Sequence, residues 1–472
     1  MIKLFNTLGR QLQDFEPLDK PKVKIYTCGP TVYDYQHIGN YSGYIYWDVL
    51  IRLLKHRGYD VKRVMNLTDV GHLVSDADEG EDKLEKSARR EGKTAREVAD
   101  FYTEDFLKNA KSLNLLPADT LAKATDYIAQ QINIVQRLLD KGFAYQTEQA
   151  IYFDVTKLAD YGKLTGQKLS EKEVGARAEV VTDSAKHHPQ DFALWFFTVG
   201  RFAEHEMRWD SPWGSGFPGW HLECSAIIHS TLGEPIDIHT GGVDHIGTHH
   251  TNEIAQSEAA FDTDLAKYWL HNNHMMVAGQ KISKSLRNGY TLKDLEEKGF
   301  SAMDFRLLVL ESHYRSQSNF DWDILTAAQN RLKRIYAAAE LRHQLTSQSE
   351  YAQSTSIERS VKDIEEAISD DLNTPKVLAA IDSELDQFED EGVMTGSKDN
   401  FERWLEFVDD LLGLKILEST PDISDTQKSL IKERESARET QDWAKADQLR
   451  RQLSEQGIEL NDTERGSIWR RA

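Results

Sequence analysis

The chain has 472 residues, 39 % of them hydrophobic, and a formal net charge of −21. That length accommodates roughly three domains with sizeable cores, while so acidic a surface excludes holding a polyanion by a general field, so any nucleic-acid partner must be gripped by local patches. Two cysteines exclude a disulfide framework and leave metal or thiol chemistry in a reducing compartment. The first residues, MIKLFNTLGRQLQDF, lack a signal-peptide core and no apolar run reaches membrane-spanning length, so a cytoplasmic protein without membrane contact is expected.

Val23, Ile25 and Tyr26 are strand formers, Gly29-Pro30 is a turn signal, and Tyr44 to Leu54 is apolar and long enough for a helix packed on a sheet. A strand therefore feeds a loop that feeds a helix. In a parallel α/β sheet that junction binds ligands, and the N–H groups of the first helical turn suit a phosphate. His37 and Asn40 are placed to face it, and Gly39 lets the backbone approach a ligand.

Val61 to Leu67 reads as a second strand running into Thr68-Asp69, at the same edge as Cys28. The densely charged stretch from Ser75 to Lys93 reads as a loop entering a solvated helix, with no catalytic need for its carboxylates. Thr125 to Lys141 has the apolar stripe of an amphipathic helix with Gly142 as its stop, and Tyr145 to Val155 reads as a hairpin. Residues 120–207 are thus expected to be an insertion between two halves of a sheet domain, with surface loop from Lys163 to Gln190.

The second cysteine lies in Pro218-Gly219-Trp220-His221-Leu222-Glu223-Cys224, and a histidine-rich run from Asp237 to Glu253 follows. Cys28, Cys224, one histidine of the His249-His250 pair and Glu253 form a candidate ligand set. His249 and Glu253 are four apart and share a helical face, which selects His249. Two thiolates, an imidazole and a carboxylate suit Zn²⁺ and suit Mg²⁺ or Ca²⁺ poorly. Taken alone, cysteines so far apart in sequence match no compact zinc-finger spacing. The loop from Val277 to Ser285 carries Lys281, Lys284 and two small hydroxyls, a composition able to wrap a triphosphate.

His37-Ile38-Gly39-Asn40 and Lys281-Ile282-Ser283-Lys284-Ser285 resemble the HIGH and KMSKS signatures of class I aminoacyl-tRNA synthetases. The words CGPTVYD at 28–34, NLTDVGH at 66–72, DFALW at 191–195, PGWHLECSA at 218–226, DIHTGG at 237–242 and HHTNEIAQSEAA at 249–260 resemble, in that order, those of the cysteinyl-tRNA synthetases. The resemblance implies an α/β fold: a Rossmann-like parallel sheet domain in two halves (1–119 and 208–266) around a connective insertion (120–207). A KISKS-loop domain (267–329), a helical bundle (330–415) and a small C-terminal anticodon-binding domain (426–472) follow.

It also implies a ligase that activates L-cysteine with ATP and transfers it to tRNA(Cys), with one Zn²⁺ held by Cys28, Cys224, His249 and Glu253, and Mg²⁺ accompanying ATP. His37, Gly39, Asn40 and Lys284 are implied in ATP binding, and His37, Asn40, Lys281 and Lys284 in catalysis. Gly29, Thr68, Trp220 and Asp244 are implied in the amino-acid pocket, and a monomer is the family expectation. Asn40 replaces the second His of HIGH, Tyr41-Ser42 stands where Ala-Arg often follows, Ile282 replaces Met, and Arg287 stands where Gly is frequent. A mycothiol-type cysteine:amino-sugar ligase would share the adenylation apparatus, and a non-catalytic paralogue would share the scaffold. CGPTVYD and the C-terminal tail argue against the first, and the two intact signatures against the second.

Apolar stripes at Leu332, Ile335, Tyr336 and Ala339, and at Trp404, Phe407, Val408 and Leu411, with helical runs between them, give a four-helix bundle; Glu418 to Asp425 reads as a linker. Residues 431–472 carry nine basic and nine acidic side chains, a neutral segment in an acidic chain, consistent with an RNA-facing surface. There Arg438, Trp443, Asp447 and Asp462 resemble the family's anticodon-recognition residues, and aromatic stacking with polar edges is how unpaired bases are read.

Overall fold

The computed structural model describes residues 1–75, 79–167, 183–283, 286–345, 352–390, 398–463 and 466–471. The chain divides into two compact units, Met1–Gly299 with His313–Phe320, and Phe300–Ser312 with Asp321–Ala472.

The first unit is built on five parallel strands: β1 (Lys22–Thr27), β2 (Asp60–Leu67), β3 (Thr120–Lys123), β4 (Ile236–Gly242) and β5 (Ala266–Asn272). Their order across the sheet is β5-β4-β1-β2-β3. Tyr26 sits opposite His239 on one side and Val64 on the other. Strands covered on both faces read as near-continuous apolar runs, and Val23, Ile25 and Tyr26 are accordingly buried. The chain moves outward from β1 through β2 to β3, then returns to β4 on the other side of β1. Strand order therefore reverses between β1 and β4, and ligands of open α/β sheets bind outside the strand ends at such a point.

Three helices point at it. α1 (Ile38–His56) follows β1, α2 (Leu222–Thr231) precedes β4, and α3 (His249–Phe261) lies between β4 and β5. α1 is longer than its apolar run predicts because it begins at a capped turn, described below.

Residues Thr120–Lys123, expected in the insertion, instead form the edge strand of the central sheet. A four-residue strand is too short to reveal its period. The helix expected from Thr125 runs from Ile128 to Asp140 after a 3₁₀ turn. The expected hairpin pairs Ala144–Gln146 with Ala150–Phe153, and two further strands, Phe192–Phe197 and Gly216–Pro218, complete an antiparallel four-stranded sheet. Its core gathers Ile151, Phe153, Phe192 and Trp195 against Val135 and Leu138 of the helix. The last of these strands runs straight into α2, so the small sheet aims the Trp220 to Cys224 segment at the switch point. Much of the stretch expected as surface loop, 168–182, lies outside the described residues.

In the second unit, α4 (Ala302–Leu310) precedes four long helices, α5 (Trp322–Glu340), α6 (Ala352–Ser369), α7 (Thr374–Asp390) and α8 (Lys398–Leu412). The stripes read from sequence are its interior: Leu332, Ile335, Trp404, Val408 and Leu411 are buried. Two further helices, α9 (Asp425–Glu439) and α10 (Trp443–Glu455), and a hairpin of β6 (Ile458–Thr463) and β7 (Gly466–Arg471) end the chain. Residues 460–463, LNDT, are strand despite their turn-forming Asn461 and Asp462: Ile458 and Leu460 face the core with Ile431, Leu453 and Trp469. Arg434 clamps the hairpin, donating from Nη1 and Nη2 to the two carboxylate oxygens of Asp462, each at 2.8 Å. That pairing holds the Asp462 carboxyl below its ordinary range.

Because Arg434 is buried and its fork is bidentate, Arg434→Ala should weaken the hairpin by about 1.5–3 kcal/mol, the range for hydrogen bonds to charged groups. Amide exchange across β6 and β7 should accelerate while the central sheet of the first unit keeps its protection; unchanged exchange in the hairpin would contradict the assignment.

Candidate functional site

The switch point gathers the residues expected to ligate a metal. Cys28 is the first residue past β1, and its N–H donates to Thr240 O of β4 at 3.1 Å. Cys224 lies in the first turn of α2, and His249, His250 and Glu253 project from the first turns of α3. One ligand atom from each of Cys28, Cys224, His249 and Glu253 lies within 4.8 Å of all the others, and all four residues are buried. Cys224 Sγ is 3.5 Å from His249 Nε2, which is 2.8 Å from Glu253 Oε1.

A second set, Cys28, His239, His250 and Glu253, meets the same limit. His239 and His250 already serve the first as supports. His239 Nε2 donates to Glu253 Oε2 at 2.7 Å, and His250 Nδ1 lies 2.7 Å from His271 Nε2, whose Nδ1 reaches Thr7 Oγ1 at 2.7 Å.

Burial raises the Glu253 carboxyl, but His239 and His249 outweigh it and bring it down to about 2. Burial lowers His249, yet Glu253 and the Cys28 sulfur carry it up to about 10. His250 falls to about 4, through burial and then His239. Burial also raises both thiols, but contact with Cys224 and the His250 charge take Cys28 well below the ordinary thiol value, while Cys224 is pushed well above it. The Nδ1 atoms of His239 and His245 are buried without hydrogen-bond partners among the described residues, and Glu253 Oε1 has only His249 Nε2, at 2.8 Å, against it. Buried polar atoms are costly when unpaired, and a cation among two sulfurs, an imidazole and a carboxylate would satisfy the group. The donors fit a metal ion.

Above the cluster lies a cavity of about 960 Å³, lined in part by Cys28, His37, Thr68, Trp220, Asp244 and Lys281. Trp220 is stacked between His72, at 4.0 Å, and His249, at 4.2 Å between ring centroids. Gly29 is explained by packing: a Cβ there would lie 1.8 Å from Asn66 O. Its N–H donates to Asn66 Oδ1 at 2.7 Å. Asp244 is mostly exposed at the cavity wall, 3.9 Å from His274.

The two signature segments dock on each other. His37 and Asn40 form a reciprocal cap on α1: Asn40 N–H donates to His37 Nδ1 at 3.2 Å and His37 N–H to Asn40 Oδ1 at 3.1 Å. Asparagine in place of the second histidine thus has a structural use. A Cβ on Gly39 would lie 2.8 Å from Ile282 Cδ1, and Ile38 N–H donates to Tyr290 O at 2.8 Å. Gly39 makes room for the loop's isoleucine. Tyr41 is core, stacked on Phe106, and Ser42 Oγ donates to Gly39 O at 2.9 Å. Arg287 has φ of 50°, the left-handed region, which accounts for a glycine preference there. Lys281 is exposed on the cavity side, whereas Lys284 lies outside the described residues.

Sequence reasoning passed over several residues. Lys83 and Arg90, from the charge run read as a wet face, line the cavity, with Lys83 Nζ 2.6 Å from His72 Nε2. Glu223, beside Cys224, is buried and accepts from Thr68 Oγ1 and from Asn66 Nδ2, the latter at 3.1 Å. A glutamate inside an otherwise apolar helix turn was the available signal.

In the second unit, Trp443 is 59 % exposed, which removes it from the core, while Trp469 is buried. Asp447 is exposed, and Arg438 Nη1 is 2.5 Å from Asp462 Oδ1, so Asp462 is held by two arginines.

Residues 14–330 match the family described as tRNA synthetases class I (C) catalytic domain, and residues 420–470 match the cysteinyl-tRNA ligase anticodon binding domain. A cysteine–tRNA ligase of Treponema denticola is 38 % identical, covering 100 % of this chain and 99 % of the relative. Cysteine–tRNA ligase 1 of Burkholderia lata is 40 % identical over 98 % and 96 %, and the Deinococcus radiodurans relative 39 % over 100 % and 97 %. Among solved structures, Mycobacterium tuberculosis methionyl-tRNA synthetase with methionyl-adenylate superposes with a TM-score of 0.59 at 13 % identity, covering 84 % of this chain and 90 % of that one. A ternary complex of LeuRS from Agrobacterium radiobacter with tRNA and LeuAMS gives 0.61 at 12 %, with 88 % of each covered. Those likenesses establish the fold, and the full-length identities establish more: this chain belongs to the class I aminoacyl-tRNA synthetases, in the cysteine–tRNA ligase family.

Proposed function

We propose that this chain activates L-cysteine with ATP and transfers it to the 3′ end of tRNA(Cys). The observation that carries the reading is the buried Cys28, Cys224, His249 and Glu253 set at the bottom of a cavity walled by the HIGN turn and by Lys281, Ile282 and Ser283. A purely steric pocket separates cysteine from serine by only about 10². Zn²⁺ held by those four residues would supply a soft Lewis acid that favours a thiolate, from a thiol of pKa about 8.5, over a far more basic hydroxyl. His239, hydrogen-bonded to Glu253 Oε2, would orient that ligand, as supporting residues of metal sites do.

With the side chain fixed, the cysteine carboxylate attacks the α-phosphorus of ATP, giving cysteinyl-adenylate and pyrophosphate. Lys281 and Lys284 would offset charge developing on the phosphates, and the N-terminal turn of α1 would face them. Mg²⁺ would enter with ATP, held mostly by phosphate oxygens. A ribose hydroxyl of the tRNA then attacks the acyl carbon and AMP leaves. Trp220, wedged between two imidazoles, closes one wall against water. Positioning and electrostatics, more than a general base, perform the chemistry. The C-terminal match to an anticodon-binding domain favours tRNA over an amino-sugar acceptor, with Arg438, Trp443, Asp447 and Asp462 proposed as its readers.

Purified protein should catalyse cysteine-dependent exchange of pyrophosphate into ATP and transfer labelled cysteine to tRNA(Cys); exchange without transfer would point to another acceptor, and neither would leave a binding protein. Cys224→Ser should lose metal, measured by atomic emission, and cysteine activation together, by more than about a hundredfold. Lys284→Ala should keep its metal and slow activation by roughly 10²–10³, the cost of one preorganised donor at a developing charge.

A further inference from the structure

Behind the cavity floor lies a carboxylate that the proposed chemistry does not use. Glu223 is 2 % exposed on α2, one residue before Cys224. Its Oε1 accepts from the Thr68 hydroxyl and, at 3.1 Å, from Asn66 Nδ2, while its Oε2 is buried without a hydrogen-bond partner among the described residues. Leaving half of a carboxylate unpaired in the interior costs stability. A glutamate kept in such a place has a use.

The bond directions define that use. The Thr68 O–H is donated to Glu223, so on every other side Thr68 Oγ1 is an acceptor; one lone pair takes Asn66 Nδ2–H at 3.1 Å. Both amide hydrogens of Asn66 are committed, to Thr68 and Glu223, and Asn66 Oδ1 takes the Gly29 N–H at 2.7 Å. Gly29, Asn66 and Thr68 all line the cavity. This part of the floor therefore presents oxygen acceptors backed by the Glu223 carboxyl, with the side-chain donors of Thr68 and Asn66 committed among themselves. Glu223 Oε1 lies 4.0 Å from Cys224 Sγ, so the acceptor patch adjoins the group that would hold a thiol.

We propose that Glu223 is a positioning residue: it turns Thr68 and Asn66 so that the floor beside the thiol subsite accepts hydrogen bonds from an ammonium, the α-amino group of the amino acid. This rests on the reading of the cavity as a cysteine-activating site. Glu223 sets the polarity of the subsite without touching the substrate.

The test compares L-cysteine with 3-mercaptopropionate, which keeps the thiol and carboxylate and lacks the ammonium, by calorimetric binding to the metal-loaded full chain, with pyrophosphate exchange measured in parallel. Glu223→Met removes the acceptor. It should weaken cysteine binding and raise the cysteine KM roughly ten- to hundredfold with kcat little changed, while 3-mercaptopropionate affinity and metal content stay at wild-type levels. Glu223→Gln keeps an oxygen for Thr68 and Asn66 and should restore cysteine binding. Equal losses for both ligands, or none for either, overturn the proposal. Should Glu223→Met fail to fold, Thr68→Val must show the same selective loss of cysteine, and an unchanged preference overturns the proposal there too. Selective binding without any exchange activity would overturn the functional reading and leave the ammonium subsite standing.

Discussion

The first unit's site answers to one constraint: two sulfurs, several imidazoles and a carboxylate share a buried volume at the floor of the cavity. Isolated charges there are expensive, so the groups neutralise one another. His239 and His249 hold the Glu253 carboxyl low, Glu253 and Cys28 raise His249, and contact between the two cysteines lowers Cys28 while raising Cys224. A divalent cation held by Cys28, Cys224, His249 and Glu253 would take over this mutual neutralisation.

The parallel sheet supplies the geometry. Cys28 follows β1, His239 sits within β4, and α2 and α3 flank β4 in sequence, so groups from four distant segments meet only because strand order reverses between β1 and β4. The same reversal leaves α1 with its capped first turn at the cavity, where Ile282 and Gly289 close over Gly39 and His37. Glycine at 39 serves loop packing in this structure. The near-isosteric isoleucine in place of methionine fills that contact, and the left-handed backbone at Arg287 is the strain the loop retains.

Legibility in the sequence followed the length scale of each signal. The strand, turn and helix around Cys28, the apolar stripes of the bundle and the i, i+4 pair of His249 and Glu253 depend on neighbours, and they could be read directly. Thr120–Lys123 was too short to display a period, and Ile458 to Thr463 hid its alternation behind turn-forming Asn461 and Asp462. Glu223 stood out locally only as a polar residue in a mostly apolar helix turn, and its role was hidden because its partners Thr68 and Asn66 lie 155 and 157 residues away. Lys83 looked like part of a solvated run because nothing local reveals that its main-chain N–H pairs with His72 O and turns the side chain toward the cavity.

The overall charge resolves into the same local logic. Lys83, Arg90, Lys281 and Arg287 line the cavity, while two of its lining carboxylates are spent within the protein: Asp294 caps the turn at Thr291, and Asp34 lies 3.8 Å from Arg90. At physiological ionic strength exposed charges separated by more than about 8 Å are largely screened. An acidic exterior therefore discourages random contact with nucleic acid while the cavity wall keeps a local set of cations of its own. Beneath Thr68 burial sets the terms instead: it raises the Glu223 carboxyl to about 8, so near neutral pH that part of the floor offers oxygen acceptors rather than a full charge.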